Sequence, residues 1–252
     1  MNVYAIYFSP TNSTEKIVKI VANELGTYKE IDLSKKDTAK DLSFDKEDVC
    51  VIGVPSYGGR VPSIALERMR DWKGNHAKAI FVVSYGNRAY EDTLKELADF
   101  TAEKGFDSIA AITAIAEHSI MHQFATGRPD EKDIQELKEF SKKILDKIAN
   151  NETFDVLELP GNHPYREYGG LPIKPKAGRS CTSCGTCATL CPTGAISAAN
   201  PKKTDKDLCI SCMRCIKVCP KKARKVNPIL VKVAANKMKA VCGQKKENEL
   251  FI

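Results

Sequence analysis

Eight of the ten cysteines lie between Cys181 and Pro220, in two runs of identical spacing. The first reads Cys181-Thr-Ser-Cys184-Gly-Thr-Cys187-Ala-Thr-Leu-Cys191-Pro192, and the second Cys209-Ile-Ser-Cys212-Met-Arg-Cys215-Ile-Lys-Val-Cys219-Pro220. Each is C-x-x-C-x-x-C-x-x-x-C-P, a spacing at which thiolates hold iron–sulfur clusters. Every cysteine of the first run recurs twenty-eight positions later, as do Ser183 (Ser211), Pro192 (Pro220) and Ala195 (Ala223), so the stretch is an internal repeat. Two residues between cysteines let a tight loop bring three thiolates to the corners of one cubane. The fourth, a short helical turn later, points away. Zinc knuckles and disulfides are the competing uses. Zinc takes paired C-x-x-C units, often with His, and leaves the third and fourth cysteines idle; no His lies between Cys181 and Pro220. The chemistry predicted is one-electron transfer at two [4Fe–4S] clusters.

A second set of candidate residues sits at the start of the chain. The apolar run Asn2 to Phe8 is followed by Ser9-Pro10-Thr11-Asn12-Ser13-Thr14 and then by Ile17, Val18, Ile20, Val21 and Leu25 at helical spacing. Strand, hydroxyl-rich turn and helix start together offer side-chain O–H and backbone N–H groups to an anion, with the helix dipole behind them. The turn has no G-K-[ST] and is no Walker loop. An ordinary helix cap is the alternative reading.

The elements that must position these groups repeat the same alternation. Val49 to Val54 reads as a strand buried on both faces, Pro55 to Pro62 as a loop, and Ser63 to Trp72 as a helix. Ala79 to Ser84 is the next strand, ending in Tyr85-Gly86-Asn87-Arg88-Ala89-Tyr90, with a helix from Glu91 to Lys104. A last strand near Ile109 to Ala116 and a last helix from about Pro129 to Asn150 complete a predicted five-stranded, doubly wound parallel α/β sheet. Residues 117–128, with His118 and His122, form a connection longer than the few residues usual there, so they serve as a lid or as a docking surface.

The predicted boundaries are 1–158 for the α/β domain, 159–178 for a Pro- and Gly-rich linker, 179–228 for the cysteine domain and 229–252 for a basic helical tail. Charge divides at the same place, with −6 up to Glu158 and +13 from Leu159 onward, within a net +7. A nucleic-acid surface is the ordinary reading of a basic end. Here the acidic first half and the absence of a nucleic-acid motif count against it, and part of the basic excess is counter-charge for clusters of about −2 each. No apolar run reaches membrane-spanning length and the amino terminus lacks a signal-peptide pattern, which predicts a soluble cytoplasmic protein without a membrane span. Cys50 reads as a buried hydrophobe and Cys242 as a spare thiol near the tail.

Three loops carry a resemblance. Ser9 to Thr14, Tyr57-Gly58-Gly59 and Tyr85-Gly86-Asn87 resemble the flavin-binding loops of flavodoxins, which lie beyond the carboxyl ends of the strands. The resemblance implies FMN. Its phosphate would be held by Ser9, Thr11, Asn12, Ser13 and Thr14, with Asn12 where the family has glycine. Its ring would lie between Pro55, Ser56, Tyr57, Gly58 and Gly59 on one side and Ser84, Tyr85, Gly86, Asn87 and Tyr90 on the other. Tyr57 is one stacking candidate, and either Tyr85 or Tyr90 the second. The cysteine domain resembles small α+β bacterial-type 2[4Fe–4S] ferredoxins, in which the fourth cysteine of each run ligates the other cluster. That implies one cluster on Cys181, Cys184, Cys187 and Cys219, and the other on Cys209, Cys212, Cys215 and Cys191.

Over about residues 1–228, with Glu117-His-Ser119 and Gly127-Arg-Pro-Asp130 before the last helix, the chain resembles flavodoxin–ferredoxin fusion proteins of anaerobic bacteria and archaea. The resemblance implies an electron carrier between clusters and FMN, served by a protein redox partner such as a reductase, a hydrogenase or another ferredoxin-linked enzyme. A homodimer stays open. The alternative is an FMN-dependent reductase of a small substrate, with the clusters as an internal wire and no catalytic residue set recognisable. The charge split leads to the expectation that the two halves dock through complementary fields.

Overall fold

The structure is a computed structural model that describes residues 2–38, 40–150 and 157–252. Along the chain run β1 (Val3–Tyr7), α1 (Ser13–Leu25), β2 (Tyr28–Asp32), β3 (Val49–Pro55), α2 (Ser63–Met69), β4 (Lys78–Tyr85), α3 (Thr93–Glu103), β5 (Asp107–Ile115) and α4 (Glu131–Ala149). There follow β6 (Lys176–Ala177), α5 (Thr186–Thr189), α6 (Arg214–Lys217), β7 (Arg224–Lys225), α7 (Pro228–Cys242) and β8 (Glu249–Phe251).

The first five strands pair in parallel in the order β2-β1-β3-β4-β5, the flavodoxin-like doubly wound order. The apolar runs of β3, β4 and β5 are buried almost throughout because helices cover both faces. On one face α1 and α4 set Ile17, Val18, Val21, Leu137 and Ile144 against Val51, Val82 and Ile112. On the other, Met69 of α2 and Leu94 and Leu97 of α3 pack on Ile52 and Phe81. Gly53 lets α1 press close, since a Cβ there would stand 2.1 Å from Val18 Cγ2. Strict strand–helix alternation fails once: among the described residues, 33–48 join β2 to β3 without a helix. The order reverses between β1 and β3, which opens a crevice at the carboxyl ends of these strands.

The sheet has six strands, one more than the sequence predicts. β8 pairs antiparallel with β5, setting Thr113 opposite Glu249, Ile112 opposite Leu250 and Ala111 opposite Phe251. The tail is therefore not helical throughout; a helix leads into a strand that closes an edge whose N–H and C=O groups would otherwise lie open. Asn248 fixes that strand. Its Oδ1 accepts from Ile115 N–H (2.9 Å), and its Nδ2 donates to Asp133 Oδ1 (3.0 Å) and Glu136 Oε2 (2.6 Å). Asp133 is held in turn by Arg128, the arginine of the Gly127-Arg-Pro-Asp130 run, which also donates to Lys246 O (2.7 Å).

The cysteine domain is built on β6 and β7, an antiparallel pair, with α5 and α6 one turn each after the cysteine loops. The repeat is conformational as well as chemical. Ser183 and Ser211 are both left-handed (φ 57° and 56°), and so are Gly185 and Met213 (81° and 62°). β6 begins inside the stretch read as linker, and the residues before it are bound to α3 and the loop preceding it. Asp92 accepts from Asn162 N–H (2.9 Å) and Arg166 N–H (2.7 Å), and Asp99 accepts from Tyr165 Oη (2.6 Å).

Candidate cofactor sites between the two domains

The crevice at the carboxyl ends of the strands is a cavity of about 420 Å³, within the 300–1,000 Å³ span of small-molecule sites. The α/β domain supplies its floor through Pro10, Thr11, Ser13 and Thr14 after β1, Pro55 to Gly58 after β3, and Ser84 to Gly86 after β4. Its roof comes from elsewhere in the chain: Arg166, Tyr168, Leu171 and Ile173 of the linker, Ile210 and Ser211 of the second cysteine loop, and Ala234 and Met238 of α7. His118, Ile120 and Met121 close the remaining side.

Local chemistry explains how these loops hold their shape. Asn12 takes φ 73°, a left-handed turn that Asn tolerates, and its own side chain makes no cap bond to α1, so Thr11, Ser13 and Thr14 face the cavity at the helix start. Thr14 Oγ1 and Ser84 Oγ share a hydrogen bond of 2.7 Å that ties the first loop to the end of β4. Gly58 is left-handed (φ 62°), and a Cβ there would meet the Tyr168 ring at 2.2 Å, so only glycine lets that ring close down. Burial, with smaller contributions from Cys212 and Tyr168, holds the Tyr57 hydroxyl well above its ordinary pKa, and Tyr57 stays neutral. Burial, chiefly, lowers His118 to about 4. Its Nδ1 accepts from the N–H groups of Ile120 and Met121 (3.2 Å each), so the proton of the neutral ring sits on Nε2.

The cysteines fall into two quartets. Cys181, Cys184, Cys187 and Cys219 ring one small cavity, walled also by Pro201 and Arg224. Cys191 lies within electrostatic reach of Cys212 and Cys215 and packs in one cluster with Cys209 and Cys215. All ten cysteines are free thiols. Backbone N–H groups reach the sulfurs, as Ala223 N–H does to Cys219 Sγ (3.2 Å), and such bonds favour the thiolate that a cluster requires. Among the described residues no three His, Cys, Asp or Glu side chains converge on a single ion. The ring of four cysteines fits an iron–sulfur cluster, and the hydroxyl-lined, roofed crevice fits a flavin nucleotide.

Of the residues picked out from the sequence, Thr11, Ser13, Thr14, Pro55, Ser56, Tyr57, Gly58, Ser84, Tyr85 and Gly86 line the crevice; Ser9, Asn12, Gly59, Asn87 and Tyr90 do not. Ser9 braces the turn from behind, its Oγ accepting from Glu15 N–H (2.9 Å). Gly59 faces Glu91 and Arg166. Asn87 Nδ2 donates to Cys242 O and Gln244 O (2.7 Å each), and Tyr90 Oη donates to Glu249 (2.9 Å), so both hold the tail. Tyr85 and Tyr90 meet edge to face at 5.2 Å, with Tyr85 on the cavity side. Sequence reasoning missed the roof. Tyr168, an aromatic beside a Gly pair in the linker, was the available signal; Ile210, Ser211 and Met238 carried none.

The halves meet through apolar packing, cation-to-carbonyl hydrogen bonds and ion pairs, Arg166 with Glu91 among them. Ile120, Met121 and Phe124 of the long loop pack with Ile173, Met213, Ala235 and Cys242. Cys242 is thus a core residue, 2% exposed, and not a spare thiol. Arg68 Nη2 donates to Pro192 O (2.7 Å) and Arg214 Nη1 to Ser9 O (3.4 Å).

Residues 180–224 match the family model of the 4Fe-4S dicluster domain. No curated protein matches the chain closely enough to count as a relative. Among solved structures, a flavodoxin from the domain Archaea is 14% identical, covering 59% of this chain and 99% of its own, at a TM-score of 0.41. A Streptococcus pneumoniae TIGR4 flavodoxin is 19% identical over 58% and 99%, also at 0.41. The rubredoxin oxygen:oxidoreductase of the anaerobe Desulfovibrio gigas is 17% identical over 59% of this chain and 36% of its own, at 0.40. At that level of likeness the fold assignment rests on the strand order and loops described above. In architecture the chain joins a flavodoxin-like α/β domain to a segment that matches the 4Fe-4S dicluster domain.

Proposed function

We propose that the chain is an electron-transfer protein that passes electrons between two [4Fe–4S] clusters and FMN, and on to a protein redox partner. When bound, clusters supply one-electron steps and flavin supplies one- or two-electron chemistry. The observation that supports this reading is the shared wall: Ile210 and Ser211, between Cys209 and Cys212, are also roof residues of the crevice. One loop would then touch both a cluster and the flavin. Thr11, Ser13 and Thr14 would bind the phosphate at the open start of α1. Tyr57 and Tyr85 would flank the ring, and His118 would present Nε2–H to it. The roof would cover a flavin bound on the floor loops and leave little room for a small substrate, which favours a carrier over a reductase.

Anaerobically purified chain should hold on the order of eight iron, eight sulfide and one FMN. Zinc without sulfide would sink the reading. Rapid mixing of the loaded chain with a one-electron reductant should show flavin reduction following cluster bleaching at a rate independent of protein concentration; proportionality to concentration would mean transfer between molecules.

A further inference from the structure

Among the described residues Arg224 is the largest fully buried side chain, 1% exposed. Its acceptors are Pro201 O (2.7 Å), Pro175 O (3.3 Å), Thr204 Oγ1 and Cys187 Sγ (3.8 Å), and its Nε has no partner. None of these is a carboxylate. A buried guanidinium without a counter-ion costs several kcal/mol, so some anion is expected beside it.

The repeat shows that the fold does not require this charge. Twenty-eight residues earlier the same position is Ile196, 4% exposed and packed with Cys187 and Cys191. An apolar side chain therefore suits that place in the scaffold. Arg224 instead lies on the wall of the cavity ringed by Cys181, Cys184, Cys187 and Cys219. It also comes within charge and hydrogen-bonding reach of Cys215 of the other quartet.

On the two-cluster reading above, we propose that the Arg224 guanidinium is the shared counter-ion of both clusters, set between the two cysteine quartets, and that it raises both reduction potentials. Each cluster with its four thiolates carries about −2, and reduction adds one electron with no proton, so a fixed cation against the sulfurs favours the reduced state.

The test uses the full-length chain, loaded anaerobically, with iron and sulfide counted first; a native chain below about eight of each refutes the two-cluster reading before any titration begins. EPR-monitored titration with dithionite and mediators then compares native chain, Arg224→Gln and Arg224→Lys. The expected result is native iron content with both clusters of the Gln variant harder to reduce. The oxidised-to-reduced ratio at the native midpoint should change at least tenfold, about 59 mV for a one-electron couple. The Lys variant should stay within about threefold of native, because it keeps the charge. A shift in one cluster only, no shift, or equal shifts in both variants overturns the proposal. If the Gln variant loses iron, pulsed EPR of native chain carrying ¹⁵N-arginine decides: coupling at both clusters that vanishes in the Lys variant supports the shared contact, and coupling at one or neither overturns it.

Discussion

The imidazole of His118 receives the backbone N–H groups of Ile120 and Met121 on Nδ1 and packs against Gly86, so it joins the long loop to the third flavin-type loop. Burial places its folded-state pKa near 4, below the ordinary 6.5. Between those values the unfolded chain binds more protons, so this contribution to stability is complete above about pH 6.5 and is lost as pH falls toward 4. The loss is on the order of 2–3 kcal/mol. His118→Asn, whose Oδ1 can accept the same two N–H groups, should flatten that window in denaturant titrations at stepped pH. An unchanged slope would assign the pH dependence to carboxylates. For the nucleotide site, Thr11→Ala with Ser13→Ala should weaken FMN by roughly 1.5–3 kcal/mol per hydroxyl lost, measured by calorimetry. The cysteines and these hydroxyls were legible in the sequence because their spacing is local. Tyr90 and Asn87 misled because a residue beside a flavin-type loop looks alike whether it turns inward or holds the tail.

At the scale of elements, the strands and helices of the α/β domain follow from apolar runs and helical periodicity, whereas β8 was hidden. Three residues, Glu249–Phe251, are too few to show alternation, and their partner is β5, at Ala111–Thr113. Asn248→Ala should test how that strand is held. Losing three buried hydrogen bonds, two of them to carboxylates, should cost about 2–4 kcal/mol in chemical denaturation. Hydrogen exchange at Ile115 should speed up more than at Val82 in the sheet interior. Equal acceleration at both would mean global destabilisation in place of local release. The Met at left-handed position 213 has a similar history: in the first repeat Gly185 takes that backbone without strain, while Met213 accepts it and buries its side chain against Phe124 and Ala235.

Across the whole molecule the charge division, −6 against +13, was expected to bring the halves together. The contacts that join them include, besides ion pairs such as that of Arg166 with Glu91, apolar residues of the long loop, linker and α7 and arginines on carbonyls, which salt screens little. Transfer within the chain should therefore change little between low and high salt, which rapid mixing at two ionic strengths would check. The roof has a further consequence for dissection. A fragment of residues 1–158 keeps the floor of the crevice and loses Tyr168, Ile210 and Met238 together with β8. It should bind FMN at least about tenfold more weakly than the full chain, some 1.4 kcal/mol or more, in fluorescence titration. Equal affinity would confine the binding site to the floor loops.

The strand that closes the α/β sheet leaves the ribosome long after the strand it pairs with. After β5 emerges, residues 116–248 must be synthesised before Glu249–Phe251 can pair with it. At bacterial elongation speeds of about 5–20 residues per second, that leaves β5 uncovered for roughly 7–27 seconds. Throughout that interval the nascent domain presents a bare strand edge to chaperones and to neighbouring chains. Completion of the sheet thus waits on synthesis of the whole cysteine segment.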